Sequence, residues 1–270
     1  MPTPFDPGYG EEPFRSLVAT HPGANVYKGS DFRSEWGPVF HRGRLDGTAR
    51  VLVIGQDPAQ HETIARRILV GEAGHRLQGF LFKLGIDRSY VMVNTFLYCL
   101  FGQGGAVGKA NVTGIVNYRH KWLDALFDHE PIEAVVALGQ LADQAWEKWS
   151  KTPKGGTVSP AYVKITHPTQ PESAAGGNSA KHAQFTAAML NNWNNGLQTI
   201  RPGLANPDKN RSLKLYGDSF GPTDKKPIPM DDFPAGTPTW MATNDGWADR
   251  TGSGTLKRRT ITVTVPKSAL

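Results

Sequence analysis

An acid, an amide and an imidazole each close a short apolar run in this chain. Asp57 follows Val51-Leu52-Val53-Ile54-Gly55-Gln56 and precedes Pro58. Asn94 ends Tyr90-Val91-Met92-Val93, and His167 follows Ile165-Thr166 and precedes Pro168. A carboxylate can orient a water or stabilise a developing cation. An asparagine offers a donor and an acceptor together, which matches one edge of an amide-like heterocycle. An imidazole can donate to a developing oxyanion. A planar base that leaves as an anion from a sugar that becomes cationic would use all three. Singly these residues are weak signals. G-Q-D-P suits an ordinary tight turn, Asn94 suits a loop cap, and His167 suits a structural turn. The pattern across three runs is the stronger observation.

The elements that carry them follow from periodicity. Four short apolar runs read as strands, at Val51–Gly55, Tyr90–Asn94, Ala134–Leu138 and Tyr162–Thr166. Their composition suits strands covered on both faces. Between them lie helical stripes: Leu77, Phe80, Leu81 and Leu84, ended by Gly85; Ile115, Tyr118, Trp122 and Leu126; Leu141, Ala145 and Trp149; and Phe185, Met189 and Trp193. The last helix is expected to start near Asn178 or Ser179, both good N-caps. The aromatic stripes read as core. Alternating strands and helices imply a three-layer α/β/α sandwich around a central four-stranded parallel sheet. The strands' C-terminal ends then share one rim, where open α/β sheets bind ligands. Pro58 disfavours a helical conformation at Asp57, and Gly139 leaves room at the third strand end.

The 270 residues divide into three stretches. Residues 1–49 read as an irregular lead-in packed on the core, with a short helix near Pro13–Ala19, and 50–199 as the α/β domain. Residues 200–270 form a basic Pro- and Gly-rich extension, with an edge strand expected at Thr260–Val265. Lys257-Arg258-Arg259 reads either as a phosphate contact or as a solvated basic turn. A net charge of +6 is compatible with a polyanionic partner, although Lys and Arg also serve solubility. Cys99 is the single cysteine, which excludes an intrachain disulfide, an all-cysteine zinc site and a multi-cysteine iron–sulfur cluster. No metal-ligand spacing, Walker loop or G-x-S-x-G elbow is found, so no metal or cofactor is expected. The opening residues lack a signal-peptide pattern and no run is long enough to span a membrane. The expected setting is cytoplasmic and the expected state a monomer.

Taken together, Gly55-Gln56-Asp57-Pro58, Asn94 in Val-Met-Val-Asn-Thr-Phe, and His167-Pro168-Thr169 resemble the uracil-DNA glycosylase superfamily. The first matches the start of the GQDPYH motif of family 1. The last is similar to the HPS motif, and Gly71-Glu72-Ala73-Gly74-His75-Arg76-Leu77 looks like the G-x-A-G-x-x-L stretch of the GEAPG-type families. The resemblance covers about residues 50–197. It implies that Asp57 positions the attacking water and that Gln56 contacts the base through its backbone, at the turn begun by Gly55. Asn94 would read the uracil amide edge, and a neutral His167 would hydrogen-bond O2. The loop Thr169-Gln170-Pro171-Glu172-Ser173 would enter the minor groove of uracil-containing DNA, single- or double-stranded, and hold the nucleotide flipped out.

Ala59 stands where family 1 has a tyrosine that blocks the 5-methyl of thymine. Leu69 stands in the place of the stacking phenylalanine, and Phe96 or another aromatic is the candidate replacement. Glu172 is an odd neighbour for DNA. The expected activity is monofunctional removal of uracil from DNA in repair. Three alternatives remain: a glycosylase for another deaminated or 5-substituted base, a nucleic-acid-binding protein without turnover, and a flavodoxin-like nucleotide binder.

Overall fold

The computed structural model describes residues 9–102, 105–251 and 259–267. Its elements run in chain order as α1 (Phe14–Ala19), β1 (His41–Gly43), β2 (Val51–Gly55), α2 (Gln60–Ala65), α3 (Glu72–Lys83), β3 (Tyr90–Asn94), α4 (Ala106–Lys109) and α5 (Thr113–His129). There follow β4 (Ala134–Leu138), α6 (Gln140–Ser150), β5 (Ala161–Ile165), α7 (Gln170–Ala175), α8 (Ser179–Ile200), α9 (Thr239–Thr243), β6 (Ala248–Thr251) and β7 (Thr260–Val263). The main sheet has the order β1-β3-β2-β4-β5. The four expected strands pair in parallel, with Gly55 opposite Asn94 and Leu138 opposite Ile165.

Strand periodicity sorts the core into two layers. Leu52, Ile54, Val91, Val93, Val135 and Ala137 face α5 and α6, through Trp122, Leu126 and Trp149. Val51, Val53, Met92 and Val136 face α3 and α8, through Phe80, Leu81, Met189 and Trp193. The aromatic stripes of the sequence are therefore packing surfaces, apart from Phe185, which is half-buried and outside both layers. The helix at 179–200 begins as its N-cap requires, with Asn178 Oδ1 accepting the Lys181 N–H at 2.9 Å.

Three features differ from expectation. The sheet gains a fifth strand, β1, antiparallel on the β3 edge; three residues ending in Gly43 are too short to show a period. The fourth parallel strand starts one residue earlier and is an edge strand. Tyr162 and Val163 are half-buried and Lys164 is exposed, so it is not covered on both faces. The Thr260–Val265 alternation is a strand only over β7, which pairs with β6 in a separate hairpin rather than edging the main sheet.

The extension after Ile200 is a strap held by surface and buried anchors. Asp208 accepts the backbone N–H groups of Asp87, Arg88 and Ser89, and Arg211 grips Asp87 with both Nη atoms. Asp232 reaches the sheet edge and pairs with Arg42 and Arg44. Ile228, Phe233, Ala242 and Trp247 form a satellite core against Ala65 and Val70. No helix among the described residues is long and apolar enough to cross a membrane.

Candidate active site

The sheet order reverses direction between β2 and β4, and the cleft opens there at the strands' C-terminal ends. Its volume is about 900 Å³. Gln56, Asp57, Ala59, His167, Thr169, Gln170 and Ser173, all expected from sequence, line it.

The G-Q-D-P turn is fixed from both sides. The Phe96 N–H donates to the Gln56 carbonyl at 2.8 Å, and the Thr95 N–H to the Gly55 carbonyl at 2.9 Å. Asp57 Oδ2 accepts the Leu100 N–H at 2.9 Å and Oδ1 accepts Gln56 Nε2 at 3.0 Å. Each oxygen keeps a lone pair for a water. Burial pushes the Asp57 carboxyl up to about 6. The Leu100 and Gln56 hydrogen bonds act the other way, Glu62 adds to the rise, and Arg250 opposes it. A carboxylate with a proton affinity near neutrality is suited to accept a proton from water.

His167 sits on a turn held by three side chains. Asn192 Oδ1 accepts the Thr166 N–H at 2.7 Å, Trp193 Nε1 donates to the Thr166 carbonyl at 2.8 Å, and Arg76 donates to the Pro168 carbonyl. Burial, helped by the Arg76 charge, lowers the His167 imidazole to about 4, against a pull from Glu172. The ring is neutral at physiological pH. Its Nδ1 accepts the Thr169 N–H at 3.3 Å, which assigns the proton to Nε2. The ring thus offers one donor and no positive charge. Gly139, at φ +82° in the left-handed region, passes beside it; a Cβ there would lie 3.5 Å from that of His167.

Asn94 lies at the end of β3, is 2% exposed and, like Gly55 beside it, sits behind the residues that line the cleft. Its amide makes no side-chain hydrogen bond among the described residues, so donor and acceptor are both unspent. A Cβ on Gly55 would sit 2.3 Å from Asn94 Oδ1, so only glycine lets the two strand ends approach this closely.

Some expected residues sit elsewhere. Residues 170–175 are a helix rather than a loop, and Pro171, at its second position, is buried. Leu69 is buried behind Gly55 at φ 54° and is not on the cleft wall. Phe96 is fully buried against Phe32. Glu172 is neutralised internally. Burial would raise its carboxyl, but Arg76 and His182 outweigh that and hold it down to about 2. His61, four residues beyond Asp57, turns away; its Nε2 accepts the Ala248 N–H at 3.1 Å.

Other cleft residues escaped the sequence reading. Phe101 is the aromatic ring on the wall, and Arg33 and Arg250 come from outside the α/β domain. No local motif marks them, because their placement depends on long-range docking of both chain ends. Cys99 also lines the cleft, but burial and the nearby Asp57 push its thiol up to about 12, so it is no nucleophile. Lys257 and Arg258 lie outside the described residues, while Arg259 Nε is 3.7 Å from Glu35 Oε1. No group of three or more His, Cys, Asp or Glu among the described residues is arranged to hold a metal ion.

A sequence comparison with curated proteins finds no match. The family model described as the uracil DNA glycosylase superfamily matches residues 42–194, more than half of the chain and every expected strand end, so this protein belongs to that superfamily and is a DNA glycosylase by fold.

Proposed function

We propose that the protein hydrolyses the N-glycosidic bond of uracil in DNA and leaves an abasic site, without cutting the strand. The observation that carries this reading is the pairing of Asp57 with a neutral, Nε2-protonated His167 on one cleft. A water held by Asp57 adds its oxygen to C1′ as the C1′–N1 bond breaks. The bond electrons leave with the base, and the water's proton passes to the Asp57 carboxylate. The anion on the base is met by the His167 Nε2–H donor. A neutral donor stabilises charge as it develops and does not protonate the base early. The unspent Asn94 amide matches the donor–acceptor edge of uracil and mismatches cytosine, which presents the reverse pattern. Phe101 is the aromatic surface on the cleft wall for the flipped base.

The test is release of uracil from an oligonucleotide carrying one deoxyuridine, read as alkali-sensitive cleavage. The wild type is expected to release uracil. His167→Ala is expected to lower the single-turnover rate by about 10²-fold, the usual cost of one oxyanion donor. Absence of release by the wild type from single-stranded, U:A and U:G substrates would overturn the reading.

Ala59 supports a wider substrate range. It lines the cleft, and the superfamily resemblance sets this position against C5 of the base. The wild type is then expected to release 5-substituted uracils, thymine opposite guanine included. Ala59→Tyr is expected to cut that release by about tenfold or more while retaining uracil, since one misplaced methyl group is enough for such discrimination. Equal rejection of thymine by both proteins would remove this second reading.

A further inference from the structure

Arg33 is 2% exposed and makes no ion pair among the described residues; its guanidinium hydrogen-bonds only to the Cys99 thiol, and Glu35 acts on it at longer range. Its guanidinium lies between two rings, 4.6 Å from the Trp36 centroid and 4.7 Å from that of Phe101. Its Nε and Nη1 have no hydrogen-bond partner among the described residues. The neighbouring acid, Glu35, faces Arg259 instead. A buried cation with unfilled donors is costly unless an anion arrives to complete it. Arg33 lines the same cleft as Asp57 and His167, so an anion entering that cleft is the available partner.

A second guanidinium meets the cleft from the other chain end. The hairpin β6–β7 docks on α2 through the Ala248 N–H to His61 bond and the Trp247 ring, which lies edge-on to His61 at 4.8 Å. Strand alternation then puts Arg250 on the same face as the buried Ala248 and turns Asp249 the other way. Arg250 makes no hydrogen bond or ion pair among the described residues, and it too lines the cleft. Both arginines lie outside the matched domain at 42–194.

We propose that Arg33 and Arg250 are a two-pronged clamp for phosphodiester groups of the DNA strand that carries the target nucleotide. This rests on the reading of the cleft as a nucleotide site. The guanidinium fork fits phosphate oxygens in a bidentate way, and the ring sandwich pre-orients that of Arg33. The clamp positions the strand so that the flipped sugar stands over Asp57. It also makes the lead-in and the C-terminal strap parts of the substrate site.

The test is binding of the full-length protein to a labelled single-stranded oligonucleotide that holds an abasic-site analogue, titrated at several salt concentrations. Each of Arg33→Ala and Arg250→Ala is expected to weaken binding about tenfold and to lower the salt slope by about one. Arg33→Lys is expected to recover less than half of the loss, because an ammonium lacks the fork. Arg250 is exposed, so Arg250→Ala tests the clamp even if Arg33→Ala fails to fold. Affinity and slope within twofold of wild type for Arg250→Ala, and for any folded Arg33 variant, would overturn the proposal. Uracil release is scored separately. Wild-type release with variants that bind normally removes the clamp alone. Weakened binding by the variants with no wild-type release removes the glycosylase reading alone.

Discussion

Asp57→Asn is expected to lower uracil release by about 10³-fold while making the folded protein more stable. The rate loss follows from removing the base that takes the water's proton, a contribution of about 10²–10⁴ in comparable chemistry. The stability gain follows from the same burial. The Asp57 carboxyl ordinarily titrates near 3.8 and is pushed up to about 6 in the fold. The folded state therefore holds this proton more tightly than the unfolded chain does. Stability present at low pH is lost as pH rises from the ordinary value through about 6, and at neutral pH the ionised Asp57 works against the fold. Asparagine keeps an acceptor for the Leu100 N–H and carries no charge. A shift of this size corresponds to about 3 kcal/mol, and the partly open side of the carboxyl reduces that to about 2 kcal/mol. Thermal melts should show Asp57→Asn above wild type at neutral pH, with the difference vanishing below about pH 4. A variant that is less stable at neutral pH would show that the carboxylate is not under strain. Function sited at a cost in stability is common in enzymes.

Asp232→Ala is expected to destabilise the protein by about 3–5 kcal/mol, the cost of leaving a buried cation without its partner. Asp232 belongs to the C-terminal strap and is 2% exposed. Its Oδ2 accepts from Arg42 Nη1 at 2.9 Å and from the Tyr90 hydroxyl at 2.5 Å, and Oδ1 accepts from Arg44 Nη2 at 2.5 Å. Arg42 and Tyr90 lie on β1 and β3, so one carboxylate ties the strap to the edge of the main sheet. Arg42 retains three uncharged partners when Asp232 is removed, the Gln78 oxygen, the Met92 sulfur and a long bond to the Tyr90 hydroxyl at 3.5 Å. Denaturant unfolding monitored by tryptophan fluorescence measures the loss. The double substitution Arg42→Met, Asp232→Leu should recover part of it, since matched apolar side chains can replace a buried pair. A loss under about 1 kcal/mol for Asp232→Ala would mean that the strap is held elsewhere.

What the sequence made legible was local. The four parallel strands and the helical stripes follow from runs of apolar residues with a clear period, whereas the order of the strands in the sheet does not. Asp57, Asn94 and His167 stood out as candidates because each closes such a run with a polar side chain, Asp57 and His167 directly before a proline. β1 was not visible, because three residues ending at Gly43 carry no period and pair only through β3. The helix at 170–175 was misread as a loop because a proline at the second position of a short helix looks like loop chemistry in sequence. Arg33, Phe101 and Arg250 were invisible for a different reason. Arg33 acquires its setting from Trp36 and Phe101, and Arg250 from a hairpin docked on His61, nearly two hundred residues away in the chain. The acid Glu172, unexplained in sequence, finds its partners only in three dimensions, where Arg76 and His182 take it up.

Burial raises the proton affinity of the Asp57 carboxylate and keeps His167 neutral, and the proposed hydrolysis depends on both. The most direct test is the single-turnover rate of uracil release, measured from about pH 4.5 to 8.5 with wild type and Asp57→Asn. The wild-type rate should rise with unit slope, level off above an apparent pKa of about 6, and show no second inflection from His167, whose imidazole sits at about 4. Asp57→Asn should be slow and flat across the range. A flat wild-type profile, or an Asp57→Asn profile that keeps both the rate and the inflection, would contradict the account.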